Sequence, residues 1–421
     1  MKTRKVGLGH VGAHVAYSLA VQGIADELVL VDSNEKKVES ECQDLRDSVA
    51  YLPHRVTVNI GTYEDLGDCD VIVNSIGKIE ILRANQDRTD EMKFTVPAVN
   101  SYVGRVKASG FDGVVVNITN PCDVVTQQLA KGLGLPRGRV FGTGTGLDTS
   151  RLLSALARQT GIDHKSITAY MLGEHGNQQF AAWSNVSFRG KSLEEWAKTD
   201  ERFRFDRDAL QKESIRGGWV TFSGKYCTEY GIATTAARMV SIVLHDEKQI
   251  MPASAELCGE YGEKDVFVGV PCVIGKNGVE EVVELSLNER EKEELKARLH
   301  MLKGVETCKK CGAEIKKGTK FCQWCGEPVE QKIKNTGAEI VSYGAPVLPG
   351  AMFLLSYYNG NIPIIGLPGC VMYAKRTIFD LALPRIMADD EISVEELAAL
   401  GEGGLCLNCP VCTFPNCGFG K

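Results

Sequence analysis

Residues 1–14 read MKTRKVGLGHVGAH, and the run GLGHVG at 7–12 decides the fold. Gly7, Gly9 and Gly12 stand in the spacing G-x-G-x-x-G, which suits a tight turn between a buried strand and a helix that receives a pyrophosphate. Two features support it. A helical pattern begins inside the motif, and ELVLVD (27–32) follows as an apolar strand ending in Asp32, twenty residues after Gly12. A carboxylate there accepts hydrogen bonds from an adenosine ribose and repels a 2′-phosphate, which favours NAD over NADP. The glycines let the backbone approach the phosphates, and the helix N-terminus offers N–H groups and positive potential. The flank is unusual: Thr3 to Val6 must serve as the first strand, so Arg4 or Lys5 faces burial.

Outward from this motif, RVTVNIG (55–61), DVIVNSIG (70–77), GVVVNITNP (113–121) and RVFGTG (139–144) predict further buried parallel strands. VGAHVAYSLAVQG (11–23) and CDVVTQQLAKGLG (122–134) predict helices between strands. The βαβ rhythm implies an α/β fold with a doubly wound parallel sheet, a Rossmann domain over 1–145. An α+β substrate domain is expected over 146–304, closed by the charged amphipathic helix LNEREKEELKARLHMLKGV (287–305).

Composition narrows the function classes. The 421 residues are 43% apolar and 24% charged with net charge −6, which gives no reason to expect nucleic acid. No run of about 18 apolar residues appears, so no membrane span is expected. The apolar start is broken by His10 and His14 and runs into a strand, and reads as structure, not a targeting segment. Of the fifteen cysteines, six lie singly before residue 300 and eight sit in two later clusters, which points to a reducing, cytoplasmic setting with metal sites.

Three stretches carry chemistry. GLDTSR (146–151) places Asp148 and Arg151 on one helical face, GEHG (173–176) holds His175 in a tight loop, and ITNPCD (118–123) puts Asn120 at a strand end. The set suits reduction of a 2-oxo acid. Arg151 can grip a carboxylate, His175 can donate a proton to the ketone oxygen, Asp148 can fix the imidazole, and Arg88 can polarise the carbonyl.

The pattern as a whole resembles the L-lactate and malate dehydrogenase family over 1–304, and within it the L-2-hydroxyisocaproate dehydrogenase branch most closely. GLGHVG, VLVD, DRTDEMKF, ITNPCD, GTGTGLDTSR, GEHGNQQFAAWS and KYCTEYGIAT carry the resemblance, in family order. It implies His175 as acid/base, Asp148 as its partner, Arg151 as carboxylate binder and Arg88 as a loop arginine. It also implies Asn120 near nicotinamide and substrate, Thr228 and Ile232 lining the pocket, NAD as cofactor, and a homo-oligomer, dimer or tetramer. In the loop before Arg88, Glu80 disfavours a dicarboxylate, while Ile79, Ile81 and Leu82 favour an aliphatic 2-oxo acid; Arg83 competes with Arg88 for the loop role. Family members usually carry several more apolar residues before the glycine turn, and about three look deleted here, judged from a usual strand length of five to six.

The C-terminal part is different. CKKCGAEIKKGTKFCQWCG (308–326) gives Cys308, Cys311, Cys322 and Cys325, two C-x-x-C-G knuckles that predict a closed, structural zinc ribbon over 305–329. Residues 333–421 resemble the end of a molybdopterin-binding domain through PVLPG (346–350) and GLPGC (366–370), although Cys370 and Val371 replace the more usual Asn-Pro. A partial α/β appendage is favoured there over pterin binding. In the tail, Cys406, Cys409, Cys412 and Cys417 could hold a second zinc or an iron–sulfur cluster. The reading is therefore an NAD-dependent L-2-hydroxy acid dehydrogenase with metal-binding additions. The alternative is a non-catalytic metal-binding or molybdopterin-pathway accessory protein with a disabled dehydrogenase body.

Overall fold

A computed structural model describes residues 2–6, 10–77, 91–176, 178–303, 305–307, 314–316, 339–343, 354–358, 362–366, 378–388, 390 and 392–399. The chain divides into two compact units, Met1–Val305 and Glu306–Lys421.

In the first unit the expected strands form. They are β1 (Lys2–Val6), β2 (Glu27–Val31), β3 (Thr57–Ile60), β4 (Val71–Asn74), β5 (Val114–Asn117) and β6 (Val140–Gly142). All pair in parallel in the order β3-β2-β1-β4-β5-β6. The order reverses between β1 and β4, where open α/β sheets bind their ligands. The helices between them are α1 (His10–Val21), α2 (Glu35–Val49), α3 (Met92–Ala108) and α4 (Cys122–Leu133). Val-rich β4 and β5 are buried along their whole length because helices cover both faces. β3 differs from the expectation of a buried strand. It lies at the sheet edge, where Thr57 and Ile60 are exposed and Val58 is buried.

The short first strand occupies the centre. Lys2–Val6 pairs residue for residue with Glu27–Val31, and Thr3–Val6 pairs with Val71–Asn74. Arg4 stands at the register position between Val29 and Ile72, and Lys5 between Leu30 and Val73. Those four neighbours are buried, so the two basic positions stand in register with buried apolar residues on both sides.

The sheet does not stop at β6. Downstream come α5 (Gly146–Thr160), β7 (Ile167–Thr168), β8 (Met171–Gly173) and β9 (Gln179–Ala181). Then follow β10 (Ser187–Phe188), β11 (Lys191–Ser192), α6 (Leu193–Thr199), α7 (Arg207–Lys225) and α8 (Tyr230–His245). β12 (Gln249–Cys258), β13 (Lys264–Gly275), β14 (Gly278–Val282) and α9 (Glu289–Lys303) complete the unit. β12 joins β6 antiparallel through Ser254 and Gly142, and β13, β8 and β9 extend the same sheet. The approach is close. A Cβ on Gly142 would lie 2.6 Å from Cys122 Sγ and 3.0 Å from Ser254 Cβ. Gly144 has φ +47°, and a Cβ there would meet the Ser254 backbone nitrogen at 2.4 Å. The glycines of GTGTG therefore let the first parallel half join the later antiparallel half without a gap.

The second unit has a two-stranded pair, Val305–Thr307 with Glu314–Lys316, beginning at the junction. It also has an antiparallel sheet of Glu339–Tyr343, Leu354–Tyr358 and Ile362–Gly366, and helices Ile378–Met387 and Val394–Ala399. All eight cysteines of the two clusters lie outside the described residues. No helix among the described residues is long and apolar enough to cross a membrane.

Candidate active site

The C-terminal ends of β4 and β5 carry a buried polar floor. Asn74 donates to Asn117 Oδ1 at 2.8 Å and to Thr119 Oγ1 at 3.2 Å, and the Tyr102 hydroxyl donates to Asn74 Oδ1 at 3.0 Å. Asn117 in turn donates to the Thr119 and Cys122 carbonyls and to Thr126 Oγ1. Burial pushes the Tyr102 hydroxyl far up, so it stays a donor. These bonds fix the turn 118–122, which carries Asn120 and enters α4. On the other side of the sheet's switch point, Asp32 stands just past β2 and accepts the Asn34 N–H at 2.9 Å. Gly12 lies in the first turn of α1, whereas Gly7 and Gly9 lie outside the described residues. Asp32 at the strand end and polar groups at the next strand ends fit a dinucleotide laid across the carboxyl edge.

The second group of candidates converges where α5 meets the β8–β9 loop. His175 Nδ1 lies 2.6 Å from Asp148 Oδ2, and Arg151 Nη1 donates to Asp148 Oδ1 at 2.9 Å. Asp148 is 2% exposed, His175 11% and Arg151 15%. Burial raises the Asp148 carboxyl, but the adjoining His175 and Arg151 outweigh it and hold it below the ordinary aspartate value. It is thus an anion that orients the imidazole through Nδ1. Arg151 Nη2 reaches Thr228 Oγ1 at 3.5 Å. Ile232 stands half-buried in the first turn of α8. A cavity of about 550 Å³ opens beside Arg151 and Thr228, with Ser150, Gly217 and Thr221 also in its wall.

The structure thus brings His175 and Thr228 to Asp148 and Arg151, from which they are 27 and 77 residues away. Arg88 and the loop residues Ile79 to Arg83 lie outside the described residues, as do Cys308, Cys311, Cys322, Cys325, Cys406, Cys409, Cys412 and Cys417. Other contributors escape a sequence reading. Gly217 and Gly218 of α7 pack on the Arg151 side chain, and a Cβ on Gly218 would lie 3.3 Å from Arg151 Nη1. Gln179 donates to the Gly176 carbonyl at 2.6 Å and steadies the histidine loop. Asp123 touches that loop from α4. Among the described residues no group of His, Cys, Asp and Glu is arranged to hold a metal ion.

Comparison with known proteins gives the family. Residues 1–142 match the family described as lactate/malate dehydrogenase, NAD binding domain, and residues 145–314 match lactate/malate dehydrogenase, alpha/beta C-terminal domain. An L-lactate dehydrogenase of Fusobacterium nucleatum is 43% identical over 297 residues, covering 69% of this chain and 92% of the relative. The chain belongs to the lactate/malate dehydrogenase family. L-lactate dehydrogenase 1 of Bifidobacterium longum is 42% identical over 298 residues, 70% of this chain and 92% of the relative. Among solved structures, the minor L-lactate dehydrogenase from Enterococcus mundtii in its ligands-bound form superposes with a TM-score of 0.68 at 37% identity. That match covers 72% of this dehydrogenase-family chain and 96% of the other. A lactate dehydrogenase from a Medee basin deep-sea metagenome library superposes with a TM-score of 0.69 at 32% identity, with the same coverage.

Proposed function

We propose that this chain is an NAD-dependent L-2-hydroxy acid dehydrogenase of the lactate type, interconverting a short 2-oxo acid and its 2-hydroxy acid. The observation that carries the proposal is the buried His175–Asp148–Arg151 constellation at one end of the sheet. When bound, NADH supplies the hydride. Asp32 and Gly12, with Gly7 and Gly9, would hold the dinucleotide, and Asn120 would bind near the nicotinamide and the substrate. Arg151 pairs with the substrate carboxylate while Thr228 and Ile232 line its side chain. His175 gives its proton to the forming alkoxide, and Asp148 stabilises the protonated imidazole and restores its orientation. Arg88 polarises the ketone. Residues 1–145 form the cofactor half and 146–304 the substrate half, in a homo-oligomer, dimer or tetramer, in the cytoplasm.

The substrate is an aliphatic 2-oxo acid of the kind taken by L-2-hydroxyisocaproate dehydrogenase, because Glu80 in the loop repels a second carboxylate. Cys308, Cys311, Cys322 and Cys325 hold a structural zinc in a ribbon at 305–329; the paired segments Val305–Thr307 and Glu314–Lys316, which bracket the first knuckle, support this. Cys406, Cys409, Cys412 and Cys417 hold a second zinc or an iron–sulfur cluster in the molybdopterin-binding-like segment 333–421. NADH oxidation with 2-oxoisocaproate, pyruvate and oxaloacetate tests the substrate, and His175→Asn tests the mechanism. A preference for oxaloacetate refutes the first, and turnover unchanged by the substitution refutes the second.

A further inference from the structure

Asp123 closes the ITNPCD stretch, but the hydride-transfer scheme gives it no role. It sits in the first turn of α4, three residues after Asn120, and is 3% exposed. Its Oδ2 accepts the backbone N–H of His175 at 3.3 Å, and its Oδ1 accepts the Ser254 hydroxyl at 2.5 Å. Ser254 belongs to β12 at its junction with β6. One carboxyl group therefore bonds the proton-donor loop and the sheet junction from the helix that begins beside Asn120. Asp148 holds the histidine ring, and Asp123 holds its backbone.

We propose that Asp123 is a positioning residue that fixes the His175 backbone relative to the cofactor half, with Ser254 as its brace. The proposal rests on the reading of His175 as proton donor. Burial pushes the Asp123 carboxyl up to about 7, with Glu174 and Asp148 adding to the rise and the Ser254 and His175 bonds opposing it. Two donors thus hold an acceptor whose burial is costly. Misplacing a reacting group by about 1 Å costs about a hundredfold in rate, so rigid placement is worth that burial.

The test uses the full-length protein with Asp123→Ala, Asp123→Asn, Ser254→Ala and His175→Asn. Asp123→Ala should lower kcat about a hundredfold while the pyruvate KM and NADH binding, read by fluorescence, change less than about threefold. Asp123→Asn should recover most of the rate, because its oxygen still accepts the His175 N–H while its amide donates to Ser254. The Nδ1 proton of the short His175–Asp148 bond should give a downfield NMR signal, absent in His175→Asn and broadened or moved in Asp123→Ala. That signal decides the matter even if the parent turns over no substrate. If Asp123→Ala does not fold, Ser254→Ala should still lower kcat without weakening NADH binding. A kcat and an Nδ1 signal unchanged in the folded Asp123→Ala or Ser254→Ala variant overturn the proposal. An active His175→Asn enzyme overturns the His175 reading instead.

Discussion

Replacing Asp148 with Asn tests the acid/base pair most sharply. Both Asp148 oxygens are in use, one by His175 and one by Arg151, and the group is buried. Asn keeps the shape but removes the charge and one acceptor. Its single oxygen can serve the guanidinium or the imidazole, not both. If its NH₂ faces His175, the ring must accept at Nδ1 and keep its proton on Nε2, the wrong form for oxidation of the hydroxy acid. The energetic loss follows from the spacing. With charge centres about 4 Å apart and an effective dielectric of about 20, an imidazolium and a carboxylate attract by about 4 kcal/mol. That converts to about a thousandfold in rate, because the charge on His175 changes during the reaction while the carboxylate stays fixed. Stopped-flow and steady-state NADH absorbance with pyruvate should therefore show kcat down about a thousandfold, in both directions, with NADH affinity within about threefold of the parent. A folded Asp148→Asn enzyme with less than a tenfold loss in kcat, or a loss confined to KM, would refute the reasoning.

Gly218→Val should push the Arg151 guanidinium aside, since even a Cβ lies 3.3 Å from Nη1; the 2-oxo acid KM should rise at least about tenfold while NADH binding holds, and an unchanged KM argues against the contact. The Asp123 carboxyl is raised in the folded state to about 7 against about 3.9 unfolded, so the folded state binds the extra proton and stability falls as pH rises between those values. Asp123→Asn removes that slope, and its Tm relative to the parent should be higher at pH 8 than at pH 5; a constant difference counts against it. Inserting three apolar residues after Val6 should lengthen β1 ahead of the glycine turn and tighten NADH binding by titration, and no change would mean that Lys2–Val6 suffices.

Much of this was legible in the sequence, for identifiable reasons. The strands of the first half are short apolar runs ending at glycine, asparagine or aspartate, and burial on both faces makes such runs easy to read. The edge strand β3 has a comparable run, and only the sheet order tells that it has one neighbour. His175 stood out in GEHG, and Asp148 and Arg151 in GLDTSR, because charged groups of those types at that spacing already suggest acid/base and carboxylate chemistry. Asp123 did not, because an aspartate in a first helical turn is also what the helix dipole favours. Its partners His175 and Ser254 are 52 and 131 residues away, so no local spacing marks it. Gly217 and Gly218 were silent for a similar reason: a helix interior with two glycines looks merely weak until the side chain pressed against it is seen.

The order of strands also dictates an order of events during synthesis. β1 emerges before its partner β4, which ends at Asn74, so the central strand waits with one side open while the helices and strands between them are made. β6 is complete at Gly142 but meets β12 only once Ser254 has been made. A nascent or truncated chain between those points exposes the bonding edge of a fully formed parallel sheet, a template for pairing with another chain. Long-range pairing of this kind also slows folding. Removing residues beyond 249 should therefore yield an aggregating fragment in place of a soluble half-enzyme, and the segment whose Ser254 bonds Asp123 is the one that seals the sheet.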